Sequence, residues 1–367
     1  MELTMINTAF WADKKVLLTG HTGFKGSWLS LWLQQLGADV YGYALEPQTK
    51  PDLFSSAEVA KGMYSQIGDI CDLQNLQAFV SKIQPEIVFH LAAEPLVRAS
   101  YLDPLKTFQV NVMGTANLLQ AIRQIDSVRA VVVVTTDKVY QNKEWHWGYR
   151  EIDPLGGYDP YSSSKACAEL VAASFRSSFF NVTDYAKHRC AIATVRAGNV
   201  IGGGDYAPDR LIPDVLAALQ DGQDVVLRSP SATRPWQYVL EPLHGYLLLA
   251  EHLVKDGMKY ADAWNFGPDE HSSQSVQWVV EELIQAWGSG VWRTEAQQCH
   301  ETTLLNVDST KARRQLNWRT FCSLEGVLLR IVQWQQAFVK GESMHAYCLA
   351  EIQSYQTLLT NESGVTS

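Results

Sequence analysis

The chain has 367 residues, of which 46% are hydrophobic and 19% charged, and its formal net charge is -9. That is enough apolar material to bury the core of one large or two ordinary domains, and the acidic balance argues against nucleic acid or an anionic membrane as the main partner. No apolar run approaches the roughly 20 residues of a membrane helix. Cys71, Cys167, Cys190, Cys299, Cys322 and Cys348 form no C-x-x-C pair and no zinc spacing with histidines, which predicts free thiols, no metal and a cytoplasmic protein. Met1 to Lys15 lacks a basic start followed by an apolar run and does not read as a signal peptide.

Lys15 to Thr19 reads as a short strand, Gly20-His21-Thr22-Gly23-Phe24-Lys25-Gly26 as a glycine turn, and Ser27 to Leu36 as a helix. Glycines in this setting let the backbone approach a pyrophosphate, which then meets the helix N-terminus. Asp39 to Leu45 is the second strand. The acid expected near its end to hold an adenosine ribose is missing, apart from the late Glu46, and Lys25 would suit a 2′-phosphate; NAD is still preferred over NADP. Pro47 to Gly62 is polar and irregular. Tyr64 to Ile67 is a strand followed by Asp69 and Ile70, where Asp69 either accepts from an adenine amino group or caps the helix starting near Asp72. Glu86 to Leu91 is a strand ending in Ala92 and Ala93, small enough for a nicotinamide ring to lie close. Asp103 to Ile125 is a long helix containing Asn111.

Four consecutive valines, Val131 to Val134, suit a strand buried on both faces. The strand stops at Thr135-Thr136-Asp137-Lys138, which is either a polar turn or a ligand-facing strand end, since open α/β sheets bind ligands at the carboxyl ends of their strands. Asp159 to Phe180 is a second long helix that places Tyr161 and Lys165 on one face, a spacing met more often on surfaces than in active sites. Ala191 to Arg196 is a further strand. The alternation of strand and helix predicts an α/β fold, a Rossmann-type doubly wound parallel sheet, over residues 1–197. From residue 198 the regularity breaks. Leu211 to Gln220, Pro242 to Lys255, Val276 to Trp287 and Leu324 to Val339 read as helices of a smaller α/β domain, 198–367, rather than a continuation of the sheet, with some chain crossing back. A last helix follows Lys340, and Asn361 to Ser367 reads as frayed.

Thr19-Gly-x-x-Gly-x-x-Gly26, Asn111, Thr136-Asp137-Lys138 and Tyr161-x-x-x-Lys165 together resemble the extended short-chain dehydrogenase/reductases, over roughly Trp11 to Val339. Within them the chain is similar to the nucleotide-sugar 4,6-dehydratases. The lysine of Thr136-Asp137-Lys138, where dTDP-glucose and GDP-mannose enzymes carry glutamate, points to the branch acting on CDP-glucose, as do Gly20 to Gly26 and Arg234 to Val239. The missing acid after the second strand departs from the wider family.

The resemblance implies a lyase that removes water from a nucleotide hexose, using and regenerating NAD, in deoxysugar biosynthesis. It also implies a homodimer or dimer of dimers, because in similar proteins the two long helices pair across a dimer axis. Tyr161 would deprotonate the C4 hydroxyl, helped by the Lys165 charge, since a free tyrosine titrates near 10. Thr136 would bond the same hydroxyl, and Asn111 would support a water chain behind Lys165. Asp137 is the candidate acid for the departing C6 hydroxyl, and Lys138, made neutral by burial and nearby positive charge, the candidate base at C5; a salt bridge to Asp137 is the plainer role for Lys138. Gly20 to Gly26, Asp69, Ile70, Leu91, Ala92, Ala93, Tyr161 and Lys165 are expected to hold the cofactor. Glu94, Arg98, Asn199, Arg210, Arg228 and Arg234 are expected on the substrate, with one or two of the arginines on the surface. A dehydratase for another nucleotide hexose, a nucleotide-sugar 4-epimerase, which needs no Asp137-Lys138 pair, and a non-catalytic NAD-binding scaffold are the alternatives.

Overall fold

The computed structural model describes residues 5–295 and 305–364. Six strands follow the predicted order: β1 (Lys15–Thr19), β2 (Asp39–Ala44), β3 (Tyr64–Ile67), β4 (Ile87–His90), β5 (Ala130–Val134) and β6 (Ala191–Arg196). With Ala263–Asn265 they form one seven-stranded sheet, in the order Ala263–Asn265, β6, β5, β4, β1, β2, β3. Every pairing is parallel. The valine run shows why the sheet is covered on both sides. Ala130, Val132 and Val134 belong to one buried cluster, while Val131 and Val133 belong to another on the opposite face, as the two-residue period of a strand requires.

The helices divide accordingly. Phe24–Gln35 and Leu240–Asp256 supply Trp28, Trp32, Leu243 and Leu247 to the first cluster, whereas Leu73–Ile83, Gly114–Ile122 and Pro160–Ser178 supply Leu76, Leu118 and Ala172 to the second. The chain after residue 197 therefore continues the sheet as well as leaving it: Ala263–Asn265 adds its seventh strand beside β6 and Leu240–Asp256 covers one face. Some chain was expected to cross back from the second half; that it adds a strand to the sheet was not. The remainder of the second half builds Leu211–Gln220, Val276–Trp287, Leu324–Val339 and three small strand pairs.

Three local departures have physical reasons. The helix expected over Asp103 to Ile125 is interrupted at Gln109–Met113 by a π turn centred on Asn111, a distortion that recurs at functional positions. The Thr115 hydroxyl donates to the Asn111 carbonyl at 2.7 Å and so competes with the regular ladder. The irregular stretch before β3 contains two short helical pieces, Leu53–Ser56 and Val59–Gly62. The last helix, Met344–Gly364, reaches beyond the point where fraying was expected and buries Cys348, Ile352, Tyr355 and Leu359; of the stretch expected to fray, residues 365–367 lie outside the described residues.

Candidate active site

The carboxyl ends of β1, β4 and β5 meet where the strand order reverses, the crevice in which doubly wound sheets bind ligands. The three turn glycines serve different needs there. Gly20 has φ +76° and a Cβ on it would stand 2.6 Å from the Ala92 nitrogen; a Cβ on Gly26 would overlap the Gly20 carbonyl. Gly23 is unlike both: the nearest atom to its Cβ position is the Gly20 oxygen at 3.5 Å. It caps Phe24–Gln35 with no side-chain hydrogen bond, so open space and unpaired N–H groups coincide, which fits a dinucleotide pyrophosphate.

The side chains of the turn go elsewhere. His21 points into the protein, its Nε2 2.7 Å from the Ser65 hydroxyl, and burial lowers its pKa to about 4; Thr22 donates to the Leu45 carbonyl at 2.8 Å. These two can serve a cofactor through backbone only. Phe24 is half-buried, against Gly202. Lys25 turns toward the catalytic end, and burial, with Arg210 and Lys165 nearby, lowers it to about 7 against the attraction of Asp137 and Asp205. The 2′-phosphate role considered for Lys25 does not match that orientation.

Asp69 is exposed and accepts from the Cys71 amide at 2.8 Å, while Asp72 takes the helix cap by accepting from Asn75. Ile70 is buried against Gly114. Glu46, the late acid, is exposed. Leu91, Ala92 and Ala93 are half-buried after β4. Asn111 ties that loop down: its Oδ1 accepts from the Glu94 amide at 2.9 Å, and its Nδ2 donates to the Glu94 carbonyl at 3.1 Å and to Ser164 at 2.8 Å. One lone pair of Oδ1 is left for the expected water chain. The Glu94 carboxylate pairs with Lys106 at 2.8 Å.

The ends of β5 and the Pro160–Ser178 helix bring the candidate acid–base groups together. Asp159 caps the helix, accepting from Ser162 N at 2.9 Å. Burial raises the Tyr161 phenol to about 12, although the neighbouring Thr136 hydroxyl and Arg210 oppose the rise. Lys165 donates to the Val134 carbonyl at 2.8 Å; burial lowers it to about 8, against the charge of Glu169. The buried Asp137 carboxylate accepts from Thr136 at 3.0 Å and from Asn199, whose φ is +48°, at 3.5 Å. Its room depends on Gly198, where a Cβ would overlap it. Lys138 departs from expectation: its turn, Asp137–Val139, leaves it exposed, and among the described residues it makes no ion pair, with Asp137 or any other acid. Adjacent residues of a tight turn point apart, so burial of Asp137 does not carry Lys138 with it.

At the mouth, Arg210 donates to Asp205 at 2.7 Å. Asp209, at φ +61°, lies 2.7 Å from Arg98 and 3.8 Å from Arg228. Arg98 comes from the short helix Val97–Leu102, which lacks a sequence signal, so Asp209 joins the two lips of the cleft. Arg234 donates to the Thr233 carbonyl at 2.9 Å.

Residues 17–331 match the family model of GDP-mannose 4,6-dehydratase. The chain belongs to that family. Among its relatives, "CDP-glucose 4,6-dehydratase" of Salmonella typhimurium is 49% identical over 97% of this chain and all of its own, and "dTDP-glucose 4,6-dehydratase" of Streptomyces griseus is 30% identical over 87% of this chain and 93% of its own. Among solved structures, MoeE5 in complex with UDP-glucuronic acid and NAD superposes with a TM-score of 0.74 at 25% identity, over 88% of this chain and 99% of that one. Against this family background, the residues that sequence reasoning passed over are Gly198, Asp205, Asp209, Glu169 and Arg196. Of these only Glu169 carried a signal, its place one helical turn past Lys165 on the same face.

Proposed function

We propose that this chain is an NAD-dependent hydro-lyase that converts CDP-D-glucose to CDP-4-dehydro-6-deoxy-D-glucose. The reading is carried by two acid–base sets, Tyr161 with Thr136 and Lys165, and the buried Asp137 with Lys138 exposed at the next position of its turn, in a chain 49% identical over 97% of its length to a CDP-glucose 4,6-dehydratase. A 4-epimerase needs only the first set.

The glycine turn, Asp69, Ile70 and Leu91 to Ala93 would hold NAD, which supplies a hydride acceptor for C4 and a hydride donor for C6. Tyr161 Oη takes the proton of the C4 hydroxyl, and the Thr136 hydroxyl orients both. The Tyr161 pKa of about 12 means the phenol is the resting form; the cations Lys165 and Arg210 favour the phenolate that the reaction requires. A 4-keto group acidifies the C5 proton. Lys138 Nζ removes it while Asp137 acts as the acid toward the C6 hydroxyl, which leaves as water, and the proton held by Lys138 returns to C5 as hydride reaches C6. Arg98, Asn199, Arg210, Arg228 and Arg234, with Glu94, hold the diphosphate and hexose, because guanidinium meets phosphate in a fork geometry.

Residues 1–197 thus serve mainly the cofactor and 198–367 mainly the nucleotide sugar. Leu105, Met113 and Leu170 are exposed on the two helical stretches expected to pair, which supports a homodimer with an isologous interface. No helix among the described residues is long and apolar enough to cross a membrane, and the described cysteines are free thiols, in keeping with a cytoplasmic enzyme.

Incubation with NAD and CDP-, dTDP-, UDP- or GDP-hexoses, followed by product NMR, tests the reading. A 4-keto-6-deoxy product from CDP-glucose without accumulation of NADH is expected. A C4 epimer, preference for another nucleotide, or no product overturns it.

A further inference from the structure

Beneath the acid–base groups lies an ion pair removed from solvent. Arg196 on β6 and Glu169 on the Pro160–Ser178 helix expose 3% and 4% of their side chains. The Arg196 fork donates from Nε and Nη2 to the two carboxylate oxygens, both at 2.9 Å. Thr135 donates to Oε1 at 2.5 Å and Thr194 to Oε2 at 2.6 Å. Arg196 Nη1 donates to the Tyr140 hydroxyl at 2.7 Å, which donates in turn to Asn265 at 2.7 Å.

Buried pairs are a poor way to gain stability, because desolvation consumes most of the attraction and apolar replacements are often neutral or better. The placement of this one suggests a different use. Glu169 is one turn from Lys165 and two from Tyr161. Thr135 adjoins Thr136, and Tyr140 closes the turn that carries Asp137 and Lys138. Each element bearing a candidate acid–base group therefore sends one bond into the pair. We propose that Glu169, locked by Arg196, is a positioning residue that keeps Lys165 cationic and in register with Tyr161 during oxidation at C4.

The charges around Lys165 show why a fixed anion is needed there. Lys25 faces it from the glycine turn and His90 from β4. His90 is held neutral, at a pKa of about 3, by burial and by Lys165 itself. Arg210 and Asp137 flank Lys25 and Tyr161 from the mouth and from the end of β5, and Asp159 acts on Tyr161 from the helix cap. Around Glu169 stand Arg196 and Arg176, with Tyr140 and Glu151 beyond. Burial alone would raise the Glu169 carboxyl; Arg196 and the two threonines hold it below the usual range, so it stays ionised wherever the enzyme works. Burial pulls Lys165 down to about 8, and Glu169 opposes that fall. Without Glu169, Lys165 loses its proton at lower pH, the phenolate of Tyr161 loses a neighbouring cation, and Tyr161 ionises only at higher pH.

The inference rests on the proposed roles of Tyr161 and Lys165, and its test separates the two. Single-turnover NADH formation from CDP-glucose is followed against pH in wild type, Glu169→Gln, Glu169→Asp and the double variant Glu169→Met/Arg196→Met, with melting temperature as the control for folding. The double variant is the decisive one, because apolar replacement of both partners leaves neither Glu169 nor Arg196 as a buried charge without the other. The ascending limb of its profile moves to higher pH by about one unit, the scale of a close charge on a pKa, with roughly tenfold slower hydride transfer below the limb. Glu169→Gln moves in the same direction where it folds, and Glu169→Asp restores part of the wild-type position. A double variant that folds and keeps the wild-type limb overturns the inference and leaves the pair purely structural. Tyr161→Phe is measured alongside: if it still forms NADH, the reading of Tyr161 itself has failed, whatever Glu169 does.

Discussion

The floor and the mouth of the crevice are both built from ion pairs, yet they behave as different materials. On the floor, Arg196 and Glu169 are almost wholly buried, and every carboxylate oxygen has two donors. At the mouth, Arg98 and Asp209 meet at 2.7 Å with 41% and 37% of their side chains in solvent, and Arg228 approaches the same carboxylate at 3.8 Å. An exposed pair contributes about 0–1 kcal/mol, whereas breaking one partner of a buried pair costs about 3–5 kcal/mol. The floor therefore cannot rearrange at ordinary cost and must be built in its working geometry. The mouth can exchange partners when a diphosphate arrives with charge of its own. Substitutions at the two levels should consequently differ in kind: those at the floor alter the chemical steps, and those at the mouth alter binding.

Lys138→Ala should produce the largest effect. Loss of a general base typically costs on the order of 10² to 10⁴ in rate, so product formation falls by about that factor while hydride transfer at C4 survives, and NADH accumulates with a 4-keto-glucose intermediate. In heavy water the wild-type enzyme places deuterium at C5. Lys138→Ala with normal turnover would remove the lysine from the mechanism and direct attention to Lys25, the lysine that burial does bring to about 7 beside Asp137.

Gly198→Ala tests how tightly the floor is set without touching a reacting group. The new methyl would occupy the space of the Asp137 carboxylate, which would have to shift by about 1 Å. A misplacement of that size can cost about 10²-fold. Dehydration should slow by that order while single-turnover NADH formation stays within a few-fold of wild type, since Tyr161, Thr136 and Lys165 lie outside the clash. Equal loss in both steps would mean that the strand end as a whole has moved.

The same contrast explains which features the sequence disclosed. Val131 to Val134 reads as a doubly buried strand because both faces of the sheet are apolar, and Tyr161 with Lys165 reads as a unit because a helix fixes residues four apart on one face. Both are local facts. That the chain crossing back is the strand Ala263–Asn265 was hidden, because a three-residue strand carries no period. Glu169 and Arg196 stand 27 positions apart, on elements whose contact only the fold creates. Lys25 and Lys138 exchanged expectations for the same reason: a half-buried lysine in a glycine turn and a lysine exposed beside a buried aspartate differ in tertiary surroundings that residue type does not reveal. The interruption of the long helix at Asn111 likewise depends on the Glu94 loop it grips.

The smallest effect should come from Asp209→Asn at the mouth, and its sign is informative. Asp209 accepts from Arg98 and stands near Arg228, two of the arginines proposed for the nucleotide sugar, and it carries negative charge toward an anionic ligand. Removing that charge loosens the hold of Asp209 on both guanidinium groups and relieves repulsion. An exposed pair is worth about 0.2–1 kcal/mol, so KM for CDP-glucose should fall by at most about five-fold, with kcat unchanged because no group on the floor is touched. The effect should shrink as ionic strength rises and the Debye length shortens from about 10 Å at 0.1 M toward 3 Å at 1 M. Arg228→Ala should move KM in the opposite direction. If Asp209→Asn instead raises KM, the aspartate does not compete with the diphosphate but presents the arginines to it, and the mouth would then be preorganised in the same sense as the floor.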